Sequence, residues 1–400
     1  MLCPFHCFIK TETKKVALPY LHGQFSCRNH PTGCRRSGIA PTSPLSNLDL
    51  LLPPVEFGVF FCYKHPLLKH GYSDIRGGLK KSLSEVLVSY YVLSGQIVVN
   101  NGGKPEILCG SKGVEFLEAS AELELKDLDL HKPDESVEGK IVPIKKWACT
   151  FDHRVADAYW ANMFLISWAQ TAQSKPSSIL PSFQSSRCPG SYATSLLPIS
   201  ILSNDRLCCR IYYMKAQDIH LLQARASSNG QHRTKLESFS TLLWQILAEK
   251  EPKKCSMGIA VDGRSRLGPN RSDYFGKASE LRAMAFNQVA ALVHECLTGV
   301  TNNEFFRGLV DWVEMQRPKP VLATIYCKNE AEEAAVLVSS GPVFGSYNFR
   351  WGRAEHPMPS ALDDGDWVVL PEAQMEVVEV ELLHPMTASY LNGVLIEEPA

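Results

Sequence analysis

Short strand-like runs alternate with amphipathic helices along most of this chain, and one serine- and proline-rich segment divides the pattern into two halves. Residues 55–63 are apolar and rich in β-branched and aromatic side chains, as expected of a buried strand. Residues 77–91 carry leucine and valine at helical spacing, and residues 156–173 are apolar on most faces, which predicts a buried helix. Because strands and helices alternate irregularly in both halves, the pattern favours an α/β fold of the mixed α+β kind.

The rest of the chain shows the same mixture without an internal repeat. We expect further strands at residues 95–100, 114–124, 205–214, 336–339, 367–370 and 374–382, and further helices at 218–227, 235–250 and 281–297. The Ser- and Pro-rich segment predicts a long crossover loop between two domains of similar size. The predicted parts are an irregular leader (1–43), an N-terminal domain (44–173), the crossover loop (174–195) and a C-terminal domain (196–400).

The charges of the chain nearly balance, because 41 Lys and Arg residues face 42 Asp and Glu residues. This balance provides no electrostatic footprint for nucleic acid or for an anionic membrane surface, so we expect neither as a partner. The apolar stretches are far shorter than the roughly 18 residues that cross a bilayer, and no secretory signal pattern is evident. The 13 cysteines are odd in number and irregularly spaced, which indicates a reduced, cytoplasmic protein.

Cysteine and histidine crowd the leader, where no helical or strand period is evident. Cys27, His30 and Cys34 could be drawn as part of a zinc site. Structural zinc, however, usually shows two clean pairs of ligands at fixed spacing. We therefore expect no metal site and favour a disordered or poorly packed leader.

His153 is the residue best placed for chemistry, because it follows an apolar run and directly precedes a buried helix. A strand-to-helix turn holds a side chain rigidly, and a neutral imidazole is a natural general base for an alcohol or amine. Asp157 either shares a face with His153 or pairs with an arginine and fixes the turn. The spacing also fits a purely structural histidine. His294 lacks the second histidine of a zinc protease helix and is interpreted as a helix surface.

The string Cys-Thr-Phe-Asp-His-Arg-Val-Ala-Asp-Ala-Tyr at residues 149–159 resembles the His-x-x-x-Asp region of the plant BAHD acyltransferases, above all their hydroxycinnamoyl-transferring and coniferyl alcohol acyltransferase-like members. Similar segments continue from about residue 44 to the C-terminus. They include residues 45–49, 51–54, 79–83, 85–88, 233–239, 243–244, 261–266, 273–276, 358–360 and 366–369.

The resemblance implies two chloramphenicol-acetyltransferase-like domains, each a mixed sheet flanked by helices, with a channel between them. It implies an acyl-CoA-dependent O-acyltransferase that moves a hydroxycinnamoyl or acetyl group to a hydroxyl of a plant specialised metabolite. His153 would deprotonate the acceptor, which attacks the thioester without a covalent enzyme intermediate. Acyl-CoA would be a co-substrate and the acceptor a small-molecule alcohol, with no further cofactor and a monomeric enzyme.

Further site residues follow only from the resemblance. Asp157 would be structural and bound to Arg264 or Arg266, of which we favour Arg264. Candidate contacts to CoA or to the channel are Tyr274, Phe275, Gly276, Trp351 and Gly352.

The chain departs from the family pattern in three places. The second signature, Asp-Phe-Gly-Trp-Gly, is missing, and Asn348-Phe-Arg-Trp-Gly352 is interpreted as a later aromatic segment joined on after a deletion. The Tyr-Phe-Gly run at 274–276 leads straight into a helix, and residues 138–146 break strand alternation with Pro143. The leader also lacks the usual opening strand. The alternative is therefore a catalytically impaired relative that acts as a binding protein, or a truncated splice form.

Overall fold

The protein is described here from a computed structural model. The described residues are 5–10, 21–25, 42–45, 56–59, 72–99, 105–109, 114–119, 149–177, 181, 207–228, 230–250, 254–261, 270–299, 334–340, 348–349, 352–353, 365–373 and 377–383.

The first half contains a mixed sheet and a small antiparallel sheet. Its strands are β1 (Phe5–Lys10), β2 (Leu21–Phe25), β3 (Thr42–Pro44), β4 (Glu56–Val59), β5 (Gln96–Val99), β6 (Pro105–Leu108), β7 (Val114–Ala119) and β8 (Cys149–Asp152). Five of them form the sheet β2-β7-β1-β8-β4, and the others form β3-β6-β5. Strand β1 is parallel to β7 and antiparallel to β8. Helices α1 (Tyr72–Ser89) and α2 (Ala158–Ala172) and a 3-10 helix (Tyr91–Ser94) complete this half.

The core of the first half lies between α1, α2 and the five-stranded sheet. Leu79, Leu83 and Leu87 recur every four residues and are buried along one face of α1. They join Phe116 of β7, Phe151 of β8 and Phe164 of α2 in one apolar cluster. The helical period therefore turns a single apolar stripe of α1 toward the sheet.

The second half is built on a six-stranded mixed sheet. The strands of this half are β9 (Leu207–Lys215), β10 (Lys254–Val261), β11 (Asn270–Lys277), β12 (Ala334–Ser340), β13 (Asn348–Phe349), β14 (Gly352–Arg353), β15 (Gly365–Ala373) and β16 (Val377–Leu383). The order is β11-β10-β12-β16-β15-β9, with β10, β12 and β16 mutually parallel, and β13 pairs with β14. Its helices are α3 (Ala216–Ala226), α4 (Lys235–Lys250), α5 (Ala278–Ala283) and α6 (Phe286–Gly299).

A second apolar cluster fills this half. The indole of Trp244 on α4 is fully buried and packs with Met257 and Ile259 of β10 and with Val289 and Val293 of α6. The predicted α/β class of mixed α+β character is confirmed, since each half combines a mixed sheet with helices packed against it.

Two predicted elements differ from the structure. The prediction of an irregular leader without an opening strand is wrong for β1 and β2, because β1 lies inside the sheet between β7 and β8. Its pairing to strands more than a hundred residues away, as in His6 opposite Glu115, outweighs its weak local pattern. The helix predicted at 281–297 divides into α5 and α6, because the side chain of Gln288 accepts the N–H of Ala285 and starts a new helix.

Candidate active site

His153 lies in a tight turn between β8 and α2. The carbonyl oxygen of Asp152, the last residue of β8, accepts the N–H of Val155 at 2.9 Å and the N–H of Ala156 at 3.0 Å. Phe151 and Ala156, on either side of the turn, are buried in the core. The backbone that carries His153 is therefore held at both ends by the sheet and the helix.

An ion pair joins Asp152 and Arg154, the two chain neighbours of His153. Oδ1 of Asp152 accepts from Nε of Arg154 at 3.0 Å, and Oδ2 accepts from an Nη of Arg154 at 2.7 Å. Oδ1 also accepts the backbone N–H of Arg154 at 2.9 Å. A two-bond fork between guanidinium and carboxylate is among the stronger polar contacts in proteins. Sequence reasoning missed this pair, although opposite charges two residues apart around a turn are a usable signal.

Asp157 caps the helix that follows the turn. Its backbone is extended, and its Oδ1 accepts the N–H of Trp160 at 2.9 Å. A carboxylate at this position satisfies a helix N–H group and interacts favourably with the helix dipole. The proposed partner Arg264 lies outside the described residues, so the pairing of Asp157 with an arginine stays a prediction.

The His153 side chain is half-buried, and its Nδ1 atom is inaccessible to solvent. The surface that the residue keeps therefore belongs to its other atoms. With Nδ1 enclosed, the other ring nitrogen that can bind a proton is Nε2.

An aromatic cluster anchors this turn to the rest of the first half. Phe164 of α2 packs edge-to-face against Phe151 at 5.9 Å and against Tyr90 at 5.3 Å between ring centroids. Tyr90 is fully buried, and its hydroxyl shares a hydrogen bond with Oγ of Ser167 at 3.0 Å. Burial raises the pKa of this hydroxyl, against a smaller opposing effect of the Ser167 bond. The residues around the turn thus form a rigid support.

The other predicted site residues that the structure describes lie in the second half. Tyr274, Phe275 and Gly276 lie in β11, the edge strand of the second sheet, and lead directly into α5 as expected. Gly352 lies in β14, whereas Trp351 is outside the described residues. Strand β13, the partner of β14, contacts α2, so the aromatic segment of the second half meets the helix that follows His153.

A hydrogen-bonded cluster at the start of α4 was also missed. Oε2 of Glu237 accepts from the N–H and the hydroxyl of Thr234 at 2.6 and 2.7 Å, and Oε1 is bonded to Nδ1 of His294 on α6. Burial acts to raise the pKa of the Glu237 carboxyl, but these hydrogen bonds outweigh it and hold that pKa below its usual value. The sequence signal was the Thr-x-x-Glu capping box. The interpretation of His294 as mere helix surface was incomplete.

The described residues show neither a metal site nor a helix that could cross a membrane. No group of three or more His, Cys, Asp or Glu side chains is placed to hold a metal ion in those parts of the chain. Cys27, His30 and Cys34 lie outside them. Of the helices that the structure describes, none has the length and apolar character needed to cross a bilayer.

The arrangement of sheets and helices is shared with solved structures of other proteins. Vinorine synthase superposes with a TM-score of 0.62 at 18% identity, covering 90% of this chain and 96% of that one. F. sporotrichioides TRI101, complexed with coenzyme A and T-2, superposes with a TM-score of 0.57 at 12% identity, covering 79% of this chain and 88% of that one. The molecule thus shares the fold of these two structures.

Sequence comparison identifies the family. The omega-hydroxypalmitate O-feruloyl transferase of Arabidopsis thaliana is 24% identical over 381 residues, covering 80% of each protein. The fatty alcohol:caffeoyl-CoA acyltransferase of the same plant is 23% identical over 372 residues, covering 78% of this chain and 84% of that enzyme. The model of the Transferase family matches residues 39–147 and 146–388. The chain belongs to this family, the BAHD acyltransferases.

Proposed function

We propose that this chain transfers a hydroxycinnamoyl group from CoA to a primary alcohol, with His153 as general base. The observation that carries the proposal is the rigid turn, in which His153 is partly accessible as a residue while its Nδ1 is buried. The relatives named for feruloyl and caffeoyl transfer favour a hydroxycinnamoyl donor over acetyl-CoA. Both of their names also specify a long aliphatic alcohol as the acceptor, which favours a fatty alcohol here.

The mechanism needs one proton carrier. Nε2 of His153 accepts the hydroxyl proton as the acceptor oxygen bonds to the thioester carbonyl carbon. The tetrahedral oxyanion collapses, the carbon–sulfur bond breaks, and the imidazolium returns the proton to the CoA thiolate. General-base catalysis contributes about 10²- to 10⁴-fold, and holding both substrates together contributes the remainder.

Release of free thiol tests the proposal. We would supply feruloyl-, caffeoyl- and acetyl-CoA with hexadecanol, coniferyl alcohol or shikimate, and compare the native chain with His153→Ala. His220→Ala is the matched control, because His220 is an exposed histidine on α3, outside the turn. We expect thiol release with hydroxycinnamoyl donors, a loss of at least about 10²-fold in His153→Ala, and no loss in the control. Equal release by the native chain and His153→Ala would refute the general base.

The missing Asp-Phe-Gly-Trp-Gly signature favours a second candidate, a relative that binds acyl-CoA without turning it over. Calorimetric titration with a hydroxycinnamoyl-CoA distinguishes the two. Saturable binding without thiol release for any acceptor would support the binding protein.

A further inference from the structure

The ion pair around His153 is sheltered from water. The side chains of Asp152 and Arg154 are only 16% and 17% exposed. Water and salt screen such a pair less than they screen a pair at the open surface.

The same pair constrains the backbone of His153. The side-chain carboxylate of Asp152 accepts the N–H of Arg154. The backbone carbonyl oxygen of Asp152 accepts the N–H groups of Val155 and Ala156. The two bonds from the guanidinium of Arg154 to this carboxylate then close a ring that includes the backbone of His153. Removing the side chain of Asp152 or of Arg154 would open this ring and leave the other charge unbalanced next to His153 in the chain.

We propose that Asp152 and Arg154 are positioning residues for His153, which hold its backbone and cancel each other's charge on either side of it in the chain. The inference rests on the proposed general-base role. A base must be neutral before it accepts a proton. A carboxylate alone would favour the imidazolium, and a guanidinium alone would disfavour it.

Other ionisable residues lie near this turn in the fold. In strand register, Glu56 of β4 stands opposite Asp152, and His6 of β1 stands opposite Thr150. Asp157 and Tyr159 belong to the start of α2. They remain the same in every variant below, so differences between variants report on the pair itself.

The test follows the protonation of His153 directly. Nuclear magnetic resonance of the full chain with ¹³C-labelled histidine gives one titration per ring, and His153→Ala assigns the resonance. In Arg154→Gln, Asp152 is left unbalanced, and we expect the titration midpoint to rise by about half a pH unit or more. In Asp152→Asn, which can retain the bond to the N–H of Arg154, we expect a fall of about the same size. The double variant should return close to the native midpoint.

Arg154→Lys separates charge from geometry. It keeps the positive charge but not the two-bond fork. We expect a midpoint near the native one, together with kcat/KM lower by about 3- to 10-fold at constant KM. Circular dichroism checks that each variant is folded. If Arg154→Gln or Asp152→Asn does not fold, the titration of Arg154→Lys still tests the inference.

Two results would overturn the inference. One is a midpoint that stays unchanged, or moves in the same direction, in both Arg154→Gln and Asp152→Asn. The other is an Arg154→Lys midpoint displaced as far as that of Arg154→Gln. Failure of the proposed function is a different result, namely equal thiol release by the native chain and His153→Ala, and the titration does not depend on turnover.

Discussion

The Glu237 cluster allows a prediction with a defined pH dependence. In Glu237→Gln the amide oxygen can still accept both bonds from Thr234, which converge on a single oxygen in the native chain. The amide nitrogen then faces Nδ1 of His294 in place of a carboxylate oxygen. Since charged hydrogen bonds exceed neutral ones by about 1 kcal/mol, we expect unfolding free energy at pH 7 to fall by about 1–2 kcal/mol.

The sign of the pH dependence follows from the lowered pKa of Glu237. As pH falls, the Glu237 carboxylate binds a proton in the unfolded chain at a higher pH than in the folded chain, because its pKa is lower in the folded chain. Its contribution is therefore complete above the unfolded pKa and is lost as pH falls through the folded pKa. The difference between the native chain and Glu237→Gln should shrink across this acidic range.

Urea unfolding followed by circular dichroism at pH 7 and at successively lower pH measures this difference. Glu249→Gln is the matched control, because Glu249 is an exposed glutamate on the same helix, and its effect should stay within about 0.5 kcal/mol. A Glu237→Gln difference that is equal at all pH values would refute the argument, as would a control effect of the same size.

Three further substitutions test the packing of the first half by the same unfolding measurement. Gly95→Ala should destabilise by about 1–3 kcal/mol, because a Cβ there would lie 2.4 Å from Cγ2 of Ile107; a neutral effect would contradict this. Tyr90→Phe should cost about 1 kcal/mol through the lost bond to Ser167, and an unchanged midpoint would show that the bond contributes nothing. Ser174→Gly should stabilise by about 0.5–1 kcal/mol, since Ser174 has a φ of 58° beyond α2; destabilisation would refute the strain.

Local periodicity predicted the helices well. Helix α4 occupies residues 235–250 as predicted, and α2 lies within the predicted 156–173. Helix α1 begins five residues before the predicted start at residue 77. Such patterns are legible because a helix forms its hydrogen bonds within itself and shows its apolar face every three to four residues.

The candidate site was predictable in part. The strand–turn–helix position of His153 followed from a short run of sequence, whereas the helix-capping bond of Asp157 was not predicted. The pairing of Asp152 with Arg154 did not, because the bonds depend on how the turn directs two side chains. The bond between Glu237 and His294, 57 residues apart, depends on how α4 packs against α6.

The sequence by itself determined the mixed fold class, most helices, the turn that carries the histidine and the family. Short-range periodicity and contiguous motifs are enough to predict these four features. Only the tertiary structure decided that β1 joins the first sheet between β7 and β8, and which nitrogen of His153 is enclosed. Strand pairing and burial depend on residues distant in sequence, and several pairings satisfy one local pattern equally well until the whole chain has packed.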